Sequence, residues 1–134
     1  MGVIVVGYVP KPEGKAALRL AAEEAKSRGS SLVVVNSHRG GREFDDGDAV
    51  ESETQLEEVR AQLKDSGVEH EVRQLVRGLD PAHDLVKVAA EVSAEIIVIG
   101  LRRRSPTGKL ILGSNAQRVL LDAPCPVLAV KAEG

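Results

Sequence analysis

Aromatic residues are nearly missing from this 134-residue chain, which has one Tyr, one Phe and no Trp. Proteins that grip single-stranded nucleic acid stack its bases on aromatic side chains, and that mode is closed here. Cysteine is as scarce: Cys125 stands alone, so no intramolecular disulfide can form and stability must come from a packed core. A chain of this length buries roughly two-thirds of the surface its unfolded form exposes, which is enough for one domain. Excess charge of either sign is also lacking, since 18 Lys+Arg against 20 Asp+Glu leave a formal net charge of −2. That balance gives no general attraction to DNA or to an anionic membrane. No apolar run approaches the roughly 18 residues of a membrane span, and no secretory signal pattern opens the sequence. The expectation is a cytoplasmic protein with a single domain over residues 1–134 and neither DNA nor membrane as partner.

What the chain does hold is Val, Ile, Leu and Ala in two alternating patterns. Val3–Tyr8 (VIVVGY), Leu32–Val35 (LVVV), Glu95–Ile99 (EIIVI) and Pro126–Lys131 (PVLAVK) are continuous apolar runs. Such runs suit strands covered on both faces. Glu69–Val76 (EHEVRQLV) alternates more and reads as a strand nearer an edge. Helical spacing fills the intervals. Glu13–Gly29 puts Leu18, Ala21, Ala22 and Ala25 on one face, with Gly29 placed to end the helix. A second helix is expected from Asp48, with Glu51 as a capping-box partner, Leu56, Val59 and Leu63 inward and Gly67 just beyond its end. Asp80 and Pro81 supply the N-cap and first position of a third, with Leu85, Ala89 and Val92 inward. A fourth begins at Ser114 and carries Ala116, Val119 and Leu120 toward the sheet. The alternation βαβαβαβαβ with apolar strands predicts an α/β fold, a doubly wound five-stranded parallel sheet with helices on both faces and right-handed crossovers. His38–Ala49 reads as one long irregular loop.

Ligands of open α/β sheets sit beyond the carboxyl ends of the strands, where the strand order reverses. That points to the loops after the first and fourth strands, the latter within Gly100–Leu120, GLRRRSPTGKLILGSNAQRVL. Gly100 allows backbone to come close to a ligand. Gly113 and Ser114 precede a helix whose first N–H groups lack intrahelical partners and carry partial positive charge. Ser114 can cap that helix or offer its hydroxyl to a phosphate, and the three arginines supply planar donors for phosphate oxygens. The competing reading, a capped helix behind a solvated basic loop, stays open on these residues alone. Other candidates are weaker. His38, His70 and His83 lack metal-ligand spacing, and Asp45–Asp48 (DDGD) lacks the spacing of a calcium loop. Cys125 has no evident activating base. GKLILGS is no Walker loop, because Leu110 follows Lys109 where that motif needs Ser or Thr.

The stretch GLRRRSPTGKLILGSNAQRVLLDAPCPVLAVK resembles the C-terminal signature of the universal stress protein family, whose nucleotide motif G-x2-G-x9-G-[ST] leads into a helix and a final strand. VIVVGYVPKPEGKAALRLAAEEA is similar to that family's first strand and helix, and the resemblance covers the whole chain. It implies an adenine nucleotide alpha hydrolase-like fold with strand order 3-2-1-4-5 and a homodimer through the C-terminal strand. It also implies a stress-response or signalling role with an adenine nucleotide, AMP or ATP, the latter with Mg. Gly100, Gly113 and Ser114 match the motif residue by residue, whereas Arg103 replaces its second glycine. Val9 stands where the family's nucleotide binders carry Asp. The resemblance then implies Gly100, Arg103, Gly113, Ser114 and the Asn115 backbone around phosphates, and Val9, Ser37 and Ile99 beside base and ribose. No residue is placed to position an attacking water, so any ATP hydrolysis would be slow and no catalytic residue is expected. Val9 and Arg103 leave one alternative, a nucleotide-free dimerisation or chaperone-like stress protein with a degenerate site. An adenylate-handling enzyme is disfavoured, because YVPKPEGK supplies no Ser/Gly-rich phosphate loop.

Overall fold

β-Branched side chains alternating along VIVVG make β1 (Val3–Gly7), whose residues send one set of side chains to each face of the sheet. The computed structural model describes residues 2–9, 11–39, 46–78, 80–101 and 112–132. After β1 the elements are α1 (Pro12–Arg28), β2 (Ser31–Arg39), α2 (Asp46–Ser66), β3 (His70–Gly78), α3 (Pro81–Glu91), β4 (Ile96–Leu101), α4 (Ser114–Asp122) and β5 (Val127–Lys131). The five strands form one sheet in the order β3-β2-β1-β4-β5, and every pair is parallel. The chain winds outward from β1 to β3, then returns to the other side of β1 as β4. The order therefore reverses between β1 and β4.

Each face of the sheet carries its own core. Ile4, Val6, Leu32, Val34 and Val98 pack against Leu18, Ala21 and Ala25 of α1 and Leu56, Val59 and Leu63 of α2. Val5, Val33, Val35, Ile97 and Ile99 pack against Leu85, Val88 and Ala89 of α3 and Val119 of α4. The helical faces expected for the first three helices are the ones buried, with Ala22 and Val92 only partly so. Gly29, at φ 67°, ends α1 in the left-handed region that favours glycine. Asp80 caps α3, its Oδ1 accepting the His83 N–H at 2.8 Å.

Several boundaries differ from expectation for reasons of pairing. β2 runs on to Arg39, because β3 pairs with it as far as Arg39–Gly78, across a register irregularity between Ser37 and Arg39. α2 begins at Asp46, so Asp48 lies inside its first turn and does not cap it. The loop expected over His38–Ala49 thus gives up its ends to β2 and α2, and residues 40–45 lie outside the described residues. Leu120 does not face the sheet. It is 44 % exposed beside fully buried Val119, because each helical residue turns about 100° from the last and a nine-residue helix seats one narrow stripe.

Candidate functional site

Where the strand order reverses, the carboxyl ends of β1 and β4 open on a cavity of about 210 Å³. Its floor comes from Gly7, which ends β1, Tyr8 and Val9 just after it, Val35 of β2, and Ile99 and Gly100 of β4. Three helices reach it with their first turns, through Glu13 and Gly14 of α1, Pro81 and Ala82 of α3, and Asn115 and Ala116 of α4, while Leu85 and Val119 follow from the next turn. Sequence places those starts. Pro12 and Pro81 occupy first helical positions, where a missing N–H costs nothing. The remaining N–H groups of each first turn carry the partial positive end of the helix dipole. Val35, Leu85, Ile99 and Val119 give the cavity apolar walls. Such walls suit a flat apolar body, and the helix starts suit an anion.

The two motif glycines serve different purposes. A Cβ on Gly100 would lie 2.5 Å from the backbone carbonyl carbon of Glu13 and closer still to its oxygen. Gly100 is therefore demanded by the passage of α1 over the end of β4. The fold thus gives this glycine a packing reason besides close approach to a ligand. Gly14 makes the reciprocal accommodation, since a Cβ there would meet the backbone of Val9, with Val9 N at 2.7 Å. Gly113 differs from both. A Cβ there meets none of the described residues within 4 Å, and φ −68° with ψ 166° suits any residue. Nothing described in the fold requires a glycine at 113.

Of the residues expected at the site, Val9, Ile99, Gly100 and Asn115 border the cavity together. Val9 is 39 % exposed, and its carbonyl accepts Lys11 N–H at 2.8 Å in the tight turn that leads into α1. Gly113 and Ser114 stand just behind, at the entrance of α4, and are not part of its lining. Gly113 holds the N-cap position and Ser114 the first helical one, so the reading of Ser114 as a cap is replaced. Ser114→Ala should accordingly change stability by less than about 0.5 kcal/mol in urea unfolding, a surface-substitution value, and not by the roughly 1 kcal/mol of a lost cap. Ser37 sits in β2 opposite Leu75 of β3. Arg103 lies outside the described residues, as do Arg102 and Arg104.

Sequence reasoning missed Glu13, Gly14, Ala82 and Leu85, which reach the cavity only through the winding of the chain. It also missed Asn36, 3 % exposed, whose Nδ2 donates to the Tyr8 carbonyl at 3.3 Å and so tethers the end of β1 to β2. Its signal was a polar residue closing an apolar run, LVVVN. Asn36 Oδ1 is buried without a hydrogen-bond partner among the described residues. Tyr8 turns toward the α1–α2 face, where burial and the nearby Glu58 carboxylate push its phenol up. Burial likewise raises the Cys125 thiol, opposed in part by a backbone hydrogen bond with Ile97, so a reactive thiolate is disfavoured at neutral pH. Among the described residues, no group of three or more His, Cys, Asp or Glu could hold a metal ion. No helix among them is long and apolar enough to cross a membrane.

This architecture has relatives along its whole length. A universal stress protein of Mycolicibacterium smegmatis is 47 % identical over 132 residues, covering 98 % of this chain and 99 % of that one. The solved universal stress protein of Archaeoglobus fulgidus superposes with a TM-score of 0.83 at 43 % identity, covering 98 % of each chain. A second structure from that organism, a complex with dAMP, gives a TM-score of 0.77 at 36 % identity over 98 % of each chain. The model of the universal stress protein family matches residues 1–131. The chain belongs to the universal stress protein family.

Proposed function

We propose that the cavity between β1 and β4 binds an adenine nucleotide, AMP or ATP, and that the protein works as a nucleotide-responsive homodimer in a cytoplasmic stress response. One observation carries this reading: an apolar slot at the reversal of strand order onto which the first turns of three helices converge. The slot between Val35, Leu85, Ile99 and Val119 fits the faces of a purine. The entrance of α4, with Gly113, Ser114 and the Asn115 N–H, fits a phosphate, and Arg103 follows β4 closely enough in sequence to serve the same anion. The dAMP complex of the Archaeoglobus fulgidus relative supports the same ligand chemistry. When ATP is bound, Mg is held chiefly by its phosphates, because the described lining offers a single carboxylate, Glu13. The described lining offers binding groups, and binding is the output we propose. Calorimetric titration with AMP and with ATP tests this: one site per chain with micromolar affinity is expected, and no heat with either nucleotide would favour the nucleotide-free reading.

The dimer rests on β5, the last strand of the sheet. Ile97 N–H donates to Pro126 O and Ala132 N–H donates to Leu101 O, each at 3.0 Å. Parallel pairing alternates from there, so Leu128 and Val130 face β4, and the backbone groups of Val127, Ala129 and Lys131 point to the free edge. An apolar edge of this kind is an invitation to antiparallel pairing with a second copy. Ala129→Pro removes one edge donor without breaking the β4 ladder. Both protomers carry the change, so two hydrogen bonds of about 1 kcal/mol each are lost and the dimer dissociation constant should rise about thirtyfold in sedimentation equilibrium. A wild-type monomer at micromolar concentration would contradict the assignment.

A further inference from the structure

The cavity has one wall that is lightly held. α4 spans nine residues, and Val119 is its only fully buried side chain. Its N-cap is a glycine, so no side chain caps it, and the turn leading into it is braced by Gln117 Nε2 donating to Leu112 O at 3.0 Å. α3 is better anchored, with Ala82, Leu85, Val88 and Ala89 buried and Asp80 capping its first turn. Among the described residues an ion pair links α4 to the cap of α3. Arg118 Nη1 donates to Asp80 Oδ2 at 3.0 Å, while Oδ1 of the same carboxylate accepts the His83 N–H. The carboxylate is about four-fifths shielded and Arg118 is 57 % exposed, with Asp122 at 4.0 Å as a looser second partner. Pro81 and Ala82, which follow Asp80, line the cavity, as do Asn115, Ala116 and Val119 around Arg118. The bond therefore ties the start of α3 to the middle of α4, the two helices that form one side of the cavity.

We propose that Asp80 and Arg118 form a positioning clamp: the pair fixes α4 against the start of α3 and so sets the width of the nucleotide cavity. This rests on the reading of the cavity as the ligand site. One carboxylate does two jobs, capping α3 and gripping α4, so the start of α3 and the position of α4 are set by the same atoms. Neither residue touches the ligand. Their effect passes through the placement of Ala82, Ala116 and Val119, and it weakens as salt screens the exposed guanidinium.

Asp80→Asn separates the two jobs, because an Asn side chain still accepts from His83 N–H but lacks the charge that grips Arg118. Amide hydrogen exchange of the ligand-free protein is the first readout. In Asp80→Asn and in Arg118→Ala, exchange across 114–122 should rise about two- to fivefold, the worth of a partly exposed pair, with β1 and β4 amides unchanged. Arg118→Lys should recover part of that protection, and the double variant should match either single one. AMP affinity, measured by calorimetry, should fall about twofold or more in both single variants, because α4 resettles in the closed state and places Ala116 and Val119 less well for the ligand, and not because α4 opens more often. Wild-type exchange in α4 of both would overturn the clamp. So would faster exchange with unaltered AMP affinity, since the pair would then position nothing the ligand feels. Absence of AMP binding by the wild type would instead sink the nucleotide reading, and the exchange arm would still decide whether the clamp exists.

Discussion

Gly100→Ala should unfold about 10 °C below the wild type, although it adds one methyl group at the end of a strand. The added carbon would press on the backbone carbonyl of Glu13, and a backbone atom cannot rotate away as a side chain can. α1 cannot retreat cheaply, because Ala17, Leu18, Ala21 and Ala25 hold it against the sheet. Overpacking costs about 1–3 kcal/mol, and this rigid contact belongs at the upper end. For a domain of this size each kcal/mol corresponds to roughly 3–5 °C. Gly14→Ala sharpens the test, because two effects oppose there. Helix propensity favours Ala by about 1 kcal/mol, whereas the methyl would collide with the backbone of Val9. The collision wins, so Gly14→Ala should also destabilise. Urea unfolding with an unchanged midpoint in either variant would show that α1 does not cross the ends of β1 and β4 as described.

Gly113→Val should do the converse, sparing the fold and abolishing phosphate-dependent binding. Its backbone conformation is open to any residue and no described atom stands in the way of a side chain. The fold loses only the preference for Gly over Val at an N-cap, on the order of 1 kcal/mol. A phosphate at the start of α4 must approach the N–H groups that the branched side chain would shield. AMP affinity should fall by at least about a hundredfold, or roughly 2.7 kcal/mol, while adenosine, which has no phosphate, should lose little. Calorimetry with both ligands distinguishes these cases. Equal losses for AMP and adenosine would move the phosphate away from α4, and unchanged AMP affinity would remove Gly113 from the site.

How much of this was legible in the sequence depended on the range of the contacts involved. The runs VIVVG and IIVIG and the stripe Leu56, Val59 and Leu63 are local periodicities, and they became the buried strands and helix face they resembled. The glycine motif and its flanking helix carried the family resemblance, and through it the strand order. Features made by pairing or packing across the chain were hidden. The extension of β2 depends on β3, more than thirty residues on. Leu120 followed the expected apolar stripe, yet α4 is too short to bury more than Val119. That Gly100 also yields to α1 was hidden, because nothing in GLRRRS tells that Glu13 passes over it. The Asp80–Arg118 bond joins residues 38 apart, and each alone reads as an ordinary cap or a solvated charge.

The most direct test of the central claim is a nitrogen–proton correlation spectrum of the wild type, titrated with AMP. Saturable shifts are expected at the amides of Gly7, Val9, Gly14, Ala82, Gly100, Asn115 and Ala116, which surround the cavity, and at Gly113 and Ser114 at the entrance of α4, with β3 amides from Glu71 to Gln74 unmoved. Shifts that cluster along β3, or a spectrum unchanged at millimolar AMP, would contradict it.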